Sequence, residues 1–215
     1  MGEEAGRIHV TGAPGLDGLQ QLAALERADC LQALQLPAGS RFVLAVFHPV
    51  VQQAGDAFAQ TQAIAAALQQ AGLPVLWLEP NADAGSREVL RALDAATLPP
   101  GSQRVRHLPR PLYAAALRHC EALVGNSSSG VIEAASFGTP VLNIGDRQRM
   151  REHGPNVLDE PAEAGAIARG LAHQLGHGRY GCDNGWGDGH AGERIAQLLA
   201  TLPLDASLLD KLNSY

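Results

Sequence analysis

The chain has 215 residues, a formal net charge of −6 and 46% hydrophobic residues, enough apolar side chains for one core of domain size. Its basic residues are dispersed, which argues against a nucleic-acid surface, and no apolar run approaches the roughly 20 residues of a membrane helix. Cys30, Cys120 and Cys182 are too few and too scattered for a disulfide framework or a zinc site, and the N-terminal residues lack a signal-peptide pattern, so a cytoplasmic location is expected.

Along the chain, short apolar runs alternate with longer helical patterns, the rhythm of βαβ units and a parallel sheet. A first strand is predicted over residues 7–10 and a second over 42–47, whose unbroken apolar run suits a strand covered on both faces. Ala57, Thr61, Ile64 and Leu68 then fall on one face of a helix that ends near Gly72-Leu73-Pro74. Strands follow at 75–78, 104–108, 122–124, 141–144 and 157–158. Helices are predicted at 86–95, 112–120 and 161–175, the last with Pro161 in its first turn. Residues 176–189 are rich in Gly and read as a surface loop. Residues 191–202 form an amphipathic helix with Ile195, Leu198, Leu199 and Leu202 on one face. The tail carries Leu204, Leu208, Leu209 and Leu212, an apolar stripe that predicts self-association if exposed. The expected fold is α/β: a Rossmann-like parallel sheet with helices on both faces, as a single domain over 1–215 with a terminal helical extension over 203–215.

The segment richest in chemical meaning follows the run Glu121-Ala122-Leu123-Val124. It is the turn Gly125-Asn126-Ser127-Ser128-Ser129-Gly130, after which a helical pattern opens with Glu133 about one turn in. Backbone N–H groups and hydroxyls at a helix N-terminus favour a phosphate, and a carboxylate so placed can accept from a ribose. Serines in such a turn are also ordinary helix caps, and no Lys follows Gly130, so this is not a Walker A loop. Open α/β sheets bind ligands beyond the carboxyl ends of their strands. His48, Asn81 with Asp83, Leu108 and the Gly125 turn each follow a predicted strand, so four segments converge on one edge. Arg147 follows another strand end and a glycine, and its guanidinium suits a phosphate, whereas Arg149 and Arg151 read as solvated. His173 and His177 are four residues apart on a helix but lack a third ligand, so no metal is expected. No cofactor is implied.

Residues 125–157 resemble the signature region of the UDP-N-acetylglucosamine 2-epimerases. The carrying motifs are Gly125 to Glu133, Phe137-Gly138-Thr139-Pro140, Asn143-Ile144-Gly145-Asp146-Arg147-Gln148 and Asn156-Val157. Four more islands resemble the family in order: Thr11-Gly12-Ala13-Pro14-Gly15-Leu16-Asp17, Val46-Phe47-His48-Pro49-Val50, Pro80-Asn81-Ala82-Asp83-Ala84-Gly85 and Gly187-Asp188-Gly189. The resemblance implies the second of two Rossmann-like domains in a GT-B arrangement, with the active site in the cleft between them. Met1-Gly2-Glu3 resembles an internal run of the longer proteins, so the N-terminal domain that supplies the acidic catalytic residues is expected to be missing. By the same resemblance His48 is catalytic, stabilising the departing UDP. Ser127, Ser128 and Ser129 hold the diphosphate with Arg147, Glu133 takes the ribose, the backbone of Leu108 faces the uracil, and Asn81 binds the nucleotide or braces Asp83. The reaction implied is anti elimination of UDP from UDP-N-acetylglucosamine, then addition of water or of UDP. His48-Pro49-Val50 is similar to the hydrolysing branch, because the other branch shows His-Arg-Arg-Glu there. A non-catalytic nucleotide-sugar-binding subunit and the donor half of a GT-B glycosyltransferase stay open, as does UDP against GDP. Full-length relatives imply a possible homodimer.

Overall fold

The computed structural model describes residues 5–203. The chain divides into two compact units, one of residues 19–185 and one that joins residues up to Gly18 with those from Trp186 onward.

In the larger unit, α1 (Leu19–Leu22) and α2 (Arg27–Ala33) precede β1 (Val43–Val46), α3 (Ala57–Ala71), β2 (Val75–Leu78), α4 (Ser86–Ala95) and β3 (Gln103–Val105). Then come α5 (Arg110–His119), β4 (Ala122–Gly125), α6 (Ser128–Ile132), β5 (Val141–Ile144), β6 (Val157–Glu160) and α7 (Ala164–His177). All six strands are parallel, in the order β3-β2-β1-β4-β5-β6. Every residue of β1, β4 and β5 is buried, as strands covered on both faces require. Val43, Ala45, Val75, Trp77 and Val124 share one core cluster with Ile64 and Leu68 of α3, Val89 of α4 and Ile167 of α7. The alternate residues Leu44, Leu76 and Leu123 are equally buried, since successive side chains point to opposite faces. Helix α3 runs as its periodicity predicts and stops at Gly72, whose left-handed backbone returns its N–H to the Leu68 carbonyl.

Three expectations are corrected. Residues 7–10 form no strand: residues 5–7 make a 3-10 turn and Val10 is 95% exposed. A strand needs a neighbouring strand to take up its N–H and C=O groups, and among the described residues this run joins none of the six strands of the sheet. The strand predicted over 104–108 ends at Val105, because it is an edge strand paired only with Leu76 to Leu78. Pro161 lies outside α7, which begins at Ala164. Asp159 and Glu160 stay paired with Asn143 and Ile144 in β6, and the proline, lacking an N–H, follows the strand instead of opening the helix.

The loop after α7 is tied down. The Arg179 guanidinium donates to Thr139 Oγ1 and to the carbonyls of Phe137, Arg118 and Cys120, and the Tyr180 N–H meets the Gly138 carbonyl. In the smaller unit, helix α8 (Ala191–Thr201) is capped by Asp17, whose carboxylate accepts from the N–H groups of Ala191 (3.0 Å) and Gly192 (2.6 Å). Arg194 pairs with both oxygens of Asp188. The helix matches its expected span, and of its predicted apolar face Ile195, Leu198 and Leu202 are half-buried whereas Leu199 is 62% exposed. Leu204, Leu208, Leu209 and Leu212 lie outside the described residues, as does the 203–215 extension beyond Pro203.

Candidate nucleotide site

The strand order reverses between β1 and β4, and in a doubly wound sheet the crevice beyond their carboxyl ends is where ligands bind. The geometry there begins with a glycine. Gly125 closes β4 with φ +137°, and a Cβ on it would fall 2.1 Å from the Val46 carbonyl oxygen of β1. Only a residue without a side chain lets the strand ends lie this close.

The next residue, Asn126, is 1% exposed and joins three strand ends. Its Oδ1 accepts from the His48 N–H and its Nδ2 donates to the His48 carbonyl, both at 2.8 Å. Its own carbonyl accepts from Arg147 Nη1 (3.1 Å) and Gln148 Nε2 (2.8 Å), both beyond β5. Gln148 is 4% exposed, and its Oε1 has no hydrogen-bond partner among the described residues. Asn126 and Gln148 appear in the sequence only as letters of a motif. The available signal was position: an amide following a buried strand must have its groups satisfied.

His48 is half-buried. Its Nδ1 accepts from the backbone N–H of Asn81 at 3.2 Å. Burial, then the neighbouring Arg147 cation, hold its pKa below the usual histidine value, with Asp83 opposing them. The Asn81 side chain is engaged with Asp83: its Nδ2 donates to Oδ2 (2.5 Å) and its Oδ1 accepts from the Asp83 N–H (3.3 Å).

Ser127 caps α6, its Oγ accepting from the Ser129 N–H. Ser128 opens the helix and is half-exposed, whereas Ser129 is buried with its hydroxyl bonded to Ser127 Oγ and the Tyr113 hydroxyl. Helix α6 is only five residues long, so Glu133 lies just past its end and not inside it. Both Glu133 oxygens contact Arg110 Nη1, at 3.0 and 2.9 Å. Burial raises the Glu133 pKa and Arg110 opposes that rise. Arg110 opens α5, two residues after the buried Leu108, and sequence reasoning missed it because the two partners are 23 residues apart. The predicted residues thus include three linked sets: His48, Asn81 and Arg147 around Asn126; Ser127 and Ser129 with Tyr113; and Glu133 with Arg110.

Beyond the ends of β5 and β6 lies a pocket of about 320 Å³ lined by Asn143, Gly145, Asp146, Arg149, Asp159, Glu160 and Pro161, none of which belongs to those three sets. Among the described residues, no group of three or more His, Cys, Asp or Glu side chains could hold a metal ion, and no helix is long and apolar enough to cross a membrane.

A doubly wound sheet of this order, with a serine-capped helix turn at its switch point, defines a Rossmann-like unit of the GT-B type. The family model for UDP-N-acetylglucosamine 2-epimerase matches residues 1–200, and the chain belongs to that family. It is 36% identical, over 100% of its length and 57% of the relative's, to the UDP-N,N'-diacetylbacillosamine 2-epimerase (hydrolyzing) of Legionella pneumophila. It is 26% identical to the UDP-N-acetylglucosamine 2-epimerase of Neisseria meningitidis, over 93% of this chain and 53% of that one. The chain therefore spans a little over half the length of these relatives. Among solved structures, the UDP-GlcNAc 2-epimerase of Methanocaldococcus jannaschii in complex with UDP-GlcNAc and UDP has the same fold. It superposes with a TM-score of 0.71 at 12% identity, over 93% of this chain and 56% of that one.

Proposed function

We propose that the chain is the UDP-binding part of a hydrolysing 2-epimerase acting on a UDP-2-acetamidosugar, UDP-N-acetylglucosamine being the parent substrate. The observation that carries this reading is the Asn126 network, which gathers His48 and Arg147 at the switch point beside the serine turn. In the reaction, a base takes the proton from C2 while the C1–O bond breaks and UDP leaves. Water then adds across the resulting 2-acetamidoglucal, OH to C1 and H to C2, giving N-acetylmannosamine from the parent sugar. The leaving diphosphate gains charge as it departs, and Arg147 is a fixed cation to meet it. Ser127 and Ser128 offer hydroxyl and backbone donors to the phosphates, and Ser129 braces that turn through Tyr113. Glu133, held by Arg110, accepts from the ribose hydroxyls, and the Leu108 backbone flanks the base. His48 donates to the bridging or terminal oxygen of the leaving group. Two features support hydrolysis over return of UDP: the His48-Pro49-Val50 sequence and the hydrolysing relative from Legionella.

The elimination needs an acid and a base that flank the sugar, and of the carboxylates near these sets Glu133 is paired with Arg110 and Asp83 is bonded to Asn81. The acid and base come from a further domain, in the part of the relatives' length that this chain does not match. Calorimetric titration of the chain with UDP and, separately, with GDP tests the reading. Saturable UDP binding weakened about tenfold or more by Arg147→Ala is the expected result. A folded chain that takes up neither nucleotide, alone or with the further domain added, would sink it. A preference for GDP would replace uracil by guanine.

A further inference from the structure

We propose that the turn from Pro80 to Gly85 sets the tautomer of His48. The backbone N–H of Asn81 occupies Nδ1, the ring proton sits on Nε2, and Asn81 is a positioning residue and not a contact to the nucleotide. This rests on the reading of His48 as the group that meets the leaving diphosphate.

A backbone N–H can only donate, so the ring nitrogen it meets at 3.2 Å must keep its lone pair. A neutral imidazole has one acceptor nitrogen and one N–H, and with Nδ1 accepting, the hydrogen is on Nε2. The ring has little freedom to escape this arrangement. Asn126 holds the backbone of His48 at both its N–H and its C=O. The turn that carries the Asn81 N–H is itself braced. Both polar atoms of the Asn81 side chain are bonded to Asp83, and the Asp83 carbonyl accepts from the Ser86 N–H (3.1 Å) and hydroxyl (2.7 Å). The turn also packs directly on the residue after the histidine. Gly85 has φ +94°, and a Cβ there would lie 2.9 Å from Pro49 Cβ and 3.2 Å from Ala54 Cα.

The consequence is chemical. Protonating Nδ1 would set two N–H groups against each other and place a second cation beside Arg147, with Asp83 the carboxylate in opposition. His48 is therefore a neutral donor through Nε2 and not a base. It can stabilise an oxygen that gains charge without first taking up a proton. The side chain of Asn81, committed to Asp83, then has no part in holding the base or ribose.

Long-range proton–nitrogen correlation spectra of the nitrogen-15-labelled chain test this, with the His48 ring signals assigned by their loss in His48→Gln. At neutral pH the expected pattern is a pyridine-type Nδ1 and a pyrrole-type Nε2. A proton on Nδ1, an even mixture, or a doubly protonated ring would overturn the proposal. Asn81→Ala keeps the backbone N–H and is expected to keep that pattern, whereas Asn81→Pro removes the N–H and is expected to give a mixture. Identical spectra from both folded variants would show that Asn81 does not set the tautomer. The wild-type spectrum decides the tautomer even if Asn81→Pro fails to fold. Titrating the same sample with UDP separates the two readings: the expected tautomer without UDP binding would count against the proposed function alone, and UDP binding with an even mixture against this inference alone.

Discussion

Asn126 has no charge and no reactive atom, yet its side chain and carbonyl take part in four hydrogen bonds that define the site. Truncating it to Ala leaves the His48 N–H and C=O without partners in a buried place, where each orphaned group costs about 1–3 kcal/mol. Asn126→Ala should lower unfolding stability by about 2–4 kcal/mol, read as a shift in urea midpoint at constant slope. Two titrating groups add a pH dependence. The depressed pKa of His48 makes its contribution fully present above its ordinary value of 6.5 and lost as pH falls through its folded value. Stability should therefore fall more steeply with acidification in the parent than in His48→Gln, as urea titrations from neutral pH down to about pH 5 would show. Glu133 runs the other way. Its raised pKa makes its contribution complete below the ordinary carboxylate range and lost as pH rises through the folded value, which Arg110 partly offsets. Arg110→Ala should thus destabilise by about 1–2 kcal/mol at neutral pH and by less at about pH 4, the pair being partly exposed. These partnerships were invisible in the sequence because their members lie 21 to 78 residues apart.

The strands β1, β2, β4 and β5 and the helices α3 and α4 were legible because each carries its own signal: an unbroken apolar run, a helical period, a stop at Gly72. The failures came where partners decide. Residues 7–10 have strand-like composition but no strand to pair with among the described residues, and β3 is cut short by the length of its neighbour. Helix α6 was expected to continue through Glu133, but it ends at Ile132, and a 3-10 turn over Ala134–Phe137 takes its place. Close strand approach at the switch point gives this scale its own prediction. Gly125→Ala must push β4 away from β1, because its Cβ would meet the Val46 carbonyl at 2.1 Å. A loss of about 3 kcal/mol or more is expected in chemical denaturation, together with weaker UDP binding as the Asn126 network moves.

At the scale of the molecule, the proposed function makes this chain the binding half of a reaction whose acid and base come from a further domain. Under the proposed function, the purified chain should release UDP from UDP-N-acetylglucosamine at a negligible rate, and a steady progress curve from the chain alone would refute that. The sequence by itself determined the parallel α/β class, the succession of strands β1 to β6 with the longer helices between them, and the family. Those depend on local periodicity and on short motifs whose order along the chain is one-dimensional information. Only the tertiary structure decided that Asn126 unites three strand ends, that Arg110 holds Glu133 and that the Asn81 backbone faces Nδ1 of His48. Hydrogen bonds between distant residues depend on where the sheet brings each strand to an end, and no local rule of propensity or spacing carries that distance.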